Sequence, residues 1–323
     1  MLNRGVIKKR LIFIVLRANS LLSYIAPSFM GDIAYKRWFR TFRHATPKRE
    51  TDWIKTATQR SIPTPNGQLS ILMWRTKLMG ARIAPKILLI HGWSGRASQM
   101  GAFAEPLCEL GFDVISVDLP GHGLSSGDTC SMPEAANALF TIEKEEGSIH
   151  GVIGHSFGGA VSMLAASEGL NVNAVVTIGM PKKLSWLLDL YAKYLMLSPA
   201  ASLRITTLLE KQFGDDIWRR CDFATEHIVD GNYEYSTQAS NQLEGPSGYS
   251  IDTEKGVTNK KYKILVVHDE NDKEVPVKQG YQIAKTQGAT LHVTTKLGHF
   301  RILRNETLIN EIADFMAVSA NRV

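Results

Sequence analysis

The sequence predicts an α/β fold built on a mostly parallel, doubly wound sheet. Short continuous apolar runs at 86–90, 112–117, 149–153 and 263–267 suit strands buried on both faces. Helical stretches at 99–110, 133–146 and 277–287 separate them, and this alternation produces parallel sheets. Between one such strand and a small-residue helix lies Gly154-His155-Ser156-Phe157-Gly158, where the chain must reverse in very few residues. With 323 residues, 44% hydrophobic and 21% charged, there is material for one large domain with an insertion or for two domains.

Charge is unevenly spread. Residues 1–49 hold eleven basic side chains against Asp32 alone, a balance of +10, while the rest carries 26 basic and 30 acidic side chains, a balance of −4. Nucleic-acid binding would need basic residues spread over a folded face with interleaved aromatics. The body offers none, so no nucleic-acid partner is expected.

The head, residues 1–59, reads as a basic amphipathic extension. Its apolar run at 11–16 is interrupted by Arg17, is too short to span a bilayer, and is followed by no small-residue cleavage site. Leu11, Ile14, Val15, Ala18, Leu22 and Ile25 recur instead at helical spacing. Such a helix packs on the body or over its active-site mouth; alternatively, residues 8–25 rest peripherally on an anionic membrane, or the segment is a signal or anchor. Residues 46–60 read as an irregular polar connector.

Two strands at 60–64 and 68–75 then flank an Asn66-Gly67 hairpin turn. The strand at 86–90 ends in His91-Gly92-Trp93, the next at Asp118-Leu119-Pro120-Gly121-His122-Gly123. Ligands in such sheets bind beyond the carboxyl ends of the strands. After a strand at 172–180 the alternation stops. Residues 182–262, with helical stretches at 184–195 and 202–212 and a polar segment at 230–256, read as an inserted lid or a plain helical layer. The aromatic residues Trp186, Tyr191, Tyr194, Phe213 and Trp218 would line a pocket or form the insertion's own core. The core resumes over 263–323 with a strand at 290–295 and a last helix at 302–318, so that it comprises 60–181 and 263–323.

The Gly-x-Ser-x-Gly stretch carries the chemistry. Glycines at 154 and 158 allow close backbone approach at the turn, Ser156 stands at its tip, and the amide of Phe157 opens the following helix. Alone, the pattern also describes an ordinary tight turn; its strand and helix context makes it a candidate nucleophile elbow. Serine needs a base and the base an orienting acid. Later strand ends supply Asp269 and Asp272 as alternative acids, and His299 in Gly298-His299-Phe300.

The sequence resembles the α/β-hydrolase superfamily from about residue 60 to its end, outside the insertion. HGW at 91–93, DLPGHGLS at 118–125, GHSFGG at 154–159, DKEVP at 272–276 and GHF at 298–300 carry the likeness in the family's order. The basic head is also similar to the leader of some bacterial members. The resemblance implies an α/β-hydrolase fold, Ser156 as nucleophile, His299 as base, Asp272 rather than Asp269 as acid, and the amides of Trp93 and Phe157 as oxyanion hole. His91 is expected to brace its loop, and Asp118 and His122 to belong to a structural turn.

These parts suit hydrolysis of a small-molecule acyl ester, the action of a carboxylesterase or lipase-like enzyme. Amide or carbon–carbon bond hydrolysis and acyl transfer use the same triad, and a non-catalytic membrane-associated binding module is the alternative of another class. No cofactor is needed. The histidines show no metal-ligand spacing, so no metal is expected. Three widely spaced cysteines, Cys108, Cys130 and Cys221, point to a reducing compartment, hence a cytoplasmic protein, or one peripheral at the inner membrane surface if the head binds lipid.

Overall fold

The continuous apolar runs become the middle of one eight-stranded sheet. A computed structural model describes residues 4–78, 84–225 and 262–320, with side chains from residue 13 onward. In chain order the strands are β1 (Thr58–Thr64), β2 (Gly67–Trp74), β3 (Lys86–Ile90), β4 (Asp113–Val117), β5 (Ile149–His155), β6 (Ala174–Ile178), β7 (Lys263–Asp269) and β8 (Thr290–Thr294). Across the sheet they run β1-β2-β4-β3-β5-β6-β7-β8. The β1–β2 and β2–β4 pairs are antiparallel and all others parallel. Every residue of β3, β4, β5 and β6 is buried, as strands covered on both faces must be.

The helices are α1 (Arg4–Ile25), α2 (Pro27–Trp38), α3 (Thr51–Thr56), α4 (Ala104–Glu109), α5 (Met132–Glu146), α6 (Phe157–Ser167), α7 (Leu184–Tyr194), α8 (Pro199–Phe213), α9 (Ile217–Arg220), α10 (Lys278–Gln287), α11 (Gly298–Arg301) and α12 (Glu306–Ala320). Contacts divide the chain into two units, Met1–Arg40 with Lys183–Asp222, and Thr41–Lys182 with Phe223–Val323. The larger unit holds the sheet. On one side Ile87, Leu89, Ile153 and Val176 pack with Met100, Phe103 and Leu107 and with Leu308, Ile312 and Met316 of α12. On the other side lie α5 and α6; Ser131 and Glu134 close a capping box at the start of α5.

The smaller unit has its own core. Ala34, Leu188, Ile205 and Leu209 pack with Trp38, Phe39, Tyr191, Phe213 and Trp218. Edge-to-face contacts join Trp38 to Tyr191 and Phe39 to Phe213, so three of the five insertion aromatics serve this core. Asp32 of α2 pairs with Arg204 of α8 at 2.7 Å.

Several elements differ from the sequence expectation for local reasons. The hairpin turn is centred on Pro65 and Asn66, with Gly67 (φ 130°) already paired to Thr64. The helix expected at 99–110 is a 3-10 turn (Ala97–Phe103) followed by α4. Pro106 explains this, because it has no N–H for a continuous α-helix but is tolerated in a first turn. The last helix is broken at Asn305, whose side chain accepts from the amide of Leu308 and restarts the chain as α12.

The head expected over 1–59 divides after residue 40. Thr41 donates its hydroxyl to the carbonyl of Gly121 at 2.6 Å, and Arg43 donates to the carbonyls of Gly123, Ser125 and Gly127. Within the expected connector, a 3-10 turn (Lys48–Glu50) leads into α3, and buried Glu50 accepts from Arg96 at 2.8 Å and Ser98 at 2.7 Å. Of the expected insertion 182–262, residues 183–222 carry α7, α8 and α9 and belong to the smaller unit; 226–261, including the polar stretch 230–256, lies outside the described residues. Cys108, Cys130 and Cys221 are not disulfide-bonded.

Leu89 is fully buried at the centre of the sheet. Leu89→Ala should cost about 2–5 kcal/mol, read as a lowered urea midpoint at unchanged slope.

Candidate active site

Three backbones meet at the carboxyl end of the sheet with no room for side chains. A Cβ on Gly154 would lie 2.3 Å from the carbonyl oxygen of Gly158, and one on Gly158 would lie 2.4 Å from that of Ile90. This approach forces the chain from β5 into α6 through Ser156, which takes φ 52°, ψ −117°. Such a conformation costs a non-glycine residue about 1–3 kcal/mol and persists only where its surroundings impose it. The amide of Ser156 donates to the carbonyl of Ile178 at 2.8 Å, tying the turn to the end of β6. Phe157 is the first residue of α6, so its amide has no acceptor within the helix.

Beside it stands the loop after β3. The ring of Trp93 meets that of Phe157 edge to face, with centroids 5.0 Å apart, which places the two expected oxyanion residues side by side. His91 shapes this loop from within. Its Nδ1–H donates to the carbonyl of Gly92 at 2.7 Å and its Nε2 accepts from the amide of Leu119 at 3.1 Å. Burial lowers its pKa to about 4 and keeps it a neutral brace. In the neighbouring turn, Asp118 accepts from the amides of Ala97 and Leu124, and His122 donates to the carbonyl of Pro120.

The remaining residues come from the ends of β7 and β8. Nδ1 of His299 lies 2.7 Å from Oδ2 of Asp272, and both side chains are buried. Asp272 also accepts from the amides of Glu274 and Val275. Burial pushes its pKa up, but the hydrogen bond from His299 and those two amides outweigh burial and leave it below the ordinary value. Gly179 (φ +59°) follows Ile178 and lies directly against the pair: a Cβ there would be 3.1 Å from Nδ1 of His299 and 3.2 Å from Oδ2 of Asp272. The turn that holds Ser156 is thereby in contact with the segment that packs on His299.

Asp269, the alternative acid, has another task. It accepts from the amides of Asn271, Leu297 and Gly298 and from the hydroxyl of Thr294. It therefore clasps the turn that presents His299. His155 is the residue for which sequence reasoning found no role. Its Nε2–H donates to the carbonyl of His299 at 2.8 Å, and its ring lies against the His299 ring at 4.7 Å. Burial, then the neighbouring His299, lowers its pKa to about 3, so it is neutral. Its place beside Ser156 in the sequence is the one available signal, and it does not reveal a partner 144 residues away.

A cavity of about 310 Å³ is lined by Arg43, Ile54, Leu72, Arg96 and Asp118 among others, and Ser156, Asp272 and His299 are not among its lining residues. Its two arginines are already engaged with carbonyl oxygens and Glu50.

A sheet of this order whose central strand turns into a helix through a strained serine is the architecture of an α/β hydrolase. Residues 87–311 match the profile of the alpha/beta hydrolase family, and the chain belongs to it. It is 27% identical over 235 residues to the dihydrolipoyllysine-residue acetyltransferase component of the acetoin cleaving system of Cupriavidus necator, covering 67% of this chain and 59% of that protein. A serine hydrolase-like protein of Danio rerio is 30% identical over 146 residues, 43% of this chain and 42% of the other. The chain thus spans about half the length of these two curated relatives. A proposed lipase from Acinetobacter baumannii shares the fold with a TM-score of 0.57 at 17% identity, over 87% of this chain and 99% of that one.

The depressed pKa of Asp272 sets a pH dependence. A carboxylate lowered in the folded state stabilises fully above its ordinary pKa of about 3.9, and this stabilisation is lost as pH falls through the lower folded value. The stability gap between wild type and Asp272→Asn should shrink as pH falls through and below about 4, measured by urea unfolding at a series of pH values. A gap undiminished at the acid end of the series would contradict the assignment.

Proposed function

We propose that the protein hydrolyses carboxylic esters through an acyl-enzyme on Ser156. His299 acts as base, Asp272 orients it, and the amides of Trp93 and Phe157 receive the oxyanion. The observation that carries this reading is the 2.7 Å contact between Nδ1 of His299 and Oδ2 of Asp272, because it leaves Nε2 as the basic nitrogen. In the first half-reaction Ser156 Oγ attacks the acyl carbon while its proton passes to Nε2. The carbonyl oxygen becomes negative and is met by the two amides. Collapse breaks the ester C–O bond, and His299 returns the proton to the departing alkoxide. Water, deprotonated by His299, then attacks the acyl carbon; the bond from that carbon to Ser156 Oγ breaks, His299 returns the proton to Oγ, and the acid is released.

Neutral His155 suits this scheme. A second protonated imidazole against His299 would oppose the charge that forms on the base during each proton transfer.

Acyl transfer is the second reading, favoured by the match to an acetyltransferase component. The same acyl-serine would pass its acyl group to an alcohol or thiol in place of water, and an added acceptor would then raise product formation while lowering free acid.

Turnover of p-nitrophenyl esters from acetate to palmitate should fall by about 10⁴-fold or more in Ser156→Ala and in His299→Ala, with the fold retained by circular dichroism. A fluorophosphonate probe should label the wild type and leave Ser156→Ala unlabelled. Substantial residual turnover in either variant would mean the triad is misassigned, and an unlabelled wild type would favour a non-catalytic module. Gly179→Ala offers an independent check. Its new Cβ enters a left-handed position pressed on His299 and Asp272, so probe labelling should slow at least about tenfold while secondary structure persists.

A further inference from the structure

Helix α1 is built inside out. Leu16, Asn19, Ser20 and Ser23 form the side turned towards its own unit, and three of these four are polar. Asn19 donates to the carbonyl of Leu195, while Ser23 accepts from the amide of Ser198 at 2.9 Å and takes the Ser198 hydroxyl on its own carbonyl. These bonds commit the polar edge to the start of α8 and the turn before it. The apolar edge is left outside: Phe13, Ile14, Leu21, Leu22, Tyr24 and Ile25 are 49–70% exposed. Positions 14, 18, 21 and 25 make a continuous stripe at helical spacing, and Phe29 of α2 is exposed as well. A soluble surface rarely leaves so many large apolar side chains contiguous.

The charge of the segment that carries this stripe says what it fits. Among the side chains described from residue 13 to Ile25, the one charged group is Arg17, whose guanidinium lies 4.9 Å from the Phe13 ring centroid. Residues 4–40 hold Arg4, Lys8, Lys9, Arg10, Arg17, Lys36, Arg37 and Arg40 against Asp32, which Arg204 already pairs. A second copy of the chain would bring the same positive charge to the contact. An acidic lipid surface offers both an apolar interior and compensating charge. No described helix is long and apolar enough to cross a membrane, so this element would lie in the interface rather than span it.

We propose that the outward face of α1 is a docking surface for anionic membranes, inserting its apolar stripe among the acyl chains while Arg17 and the other basic residues of the same segment meet the phosphates. This inference is independent of the role of Ser156. Each basic side chain held near an anionic surface strengthens binding about fivefold, and the attraction is screened by salt.

The full-length protein is to be sedimented with phosphatidylcholine vesicles with and without phosphatidylglycerol. Wild type should partition to the phosphatidylglycerol vesicles at least about tenfold more strongly than to phosphatidylcholine alone, and high salt should weaken this. The double variant Ile14→Glu/Leu21→Glu should lose at least about tenfold in partitioning, and Arg17→Ala, a single exposed change, should lose about fivefold. Circular dichroism and an unchanged urea midpoint verify that each variant remains folded. Equal binding by wild type and both variants, or no binding of wild type to phosphatidylglycerol vesicles, would overturn the proposal. So would a dimer in sedimentation velocity that Ile14→Glu/Leu21→Glu dissociates while vesicles stay unbound, because the face would then belong to a second copy.

Discussion

The structure of the larger unit depends on one steric constraint, the approach of β5, α6 and the end of β3 to backbone contact. Gly154 faces the carbonyl of Gly158, and Gly158 faces those of Ile90 and His91. With no side chains between them, these segments leave Ser156 a single path, through the positive-φ region. The same contact brings the 91–93 loop beside the start of α6, so that Trp93 and Phe157 touch. A side chain at 154 or 158 would separate the strand from the helix and scatter the groups that the turn assembles.

Three buried carboxylates hold the loops at the strand ends, and their partners decide what each can do. Asp118 accepts two amides, and burial still wins, raising its pKa. Asp269 is also opposed by burial, yet three amides and a hydroxyl bring its pKa below the ordinary value. Asp272 reaches the same condition with two amides and the imidazole of His299. Asp269 spends all its acceptors on main chain and hydroxyl, which makes it a clasp. Asp272 keeps one oxygen for a side chain that can exchange a proton, which is why the functional reading falls on it.

The smaller unit follows a different logic. Its aromatic core is assembled between α2, α7 and α8, while α1 is secured by hydrogen bonds along a polar edge. Burial of apolar surface is the usual anchor of a helix, so one held by serine and asparagine leaves its apolar side available for another medium.

The strands and the Ser156 turn are legible in the sequence because they rest on local rules: apolar runs of strand length, and glycines where backbones must touch. Sequence order likewise names Asp269, Asp272 and His299 as candidates. Local rules run out where a distant partner decides. Glu50 sits in a polar stretch and is buried because Arg96 and Ser98 meet it there. His155 acquires a role from a carbonyl that only the packing of α11 on β5 supplies. The spacing of Ile14, Ala18 and Ile25 shows that they share a helix face, and nothing in that spacing says which way the face points. Periodicity is a property of one helix, whereas orientation is set by what its other edge can bond to, here Leu195 and Ser198, some 175 residues along the chain.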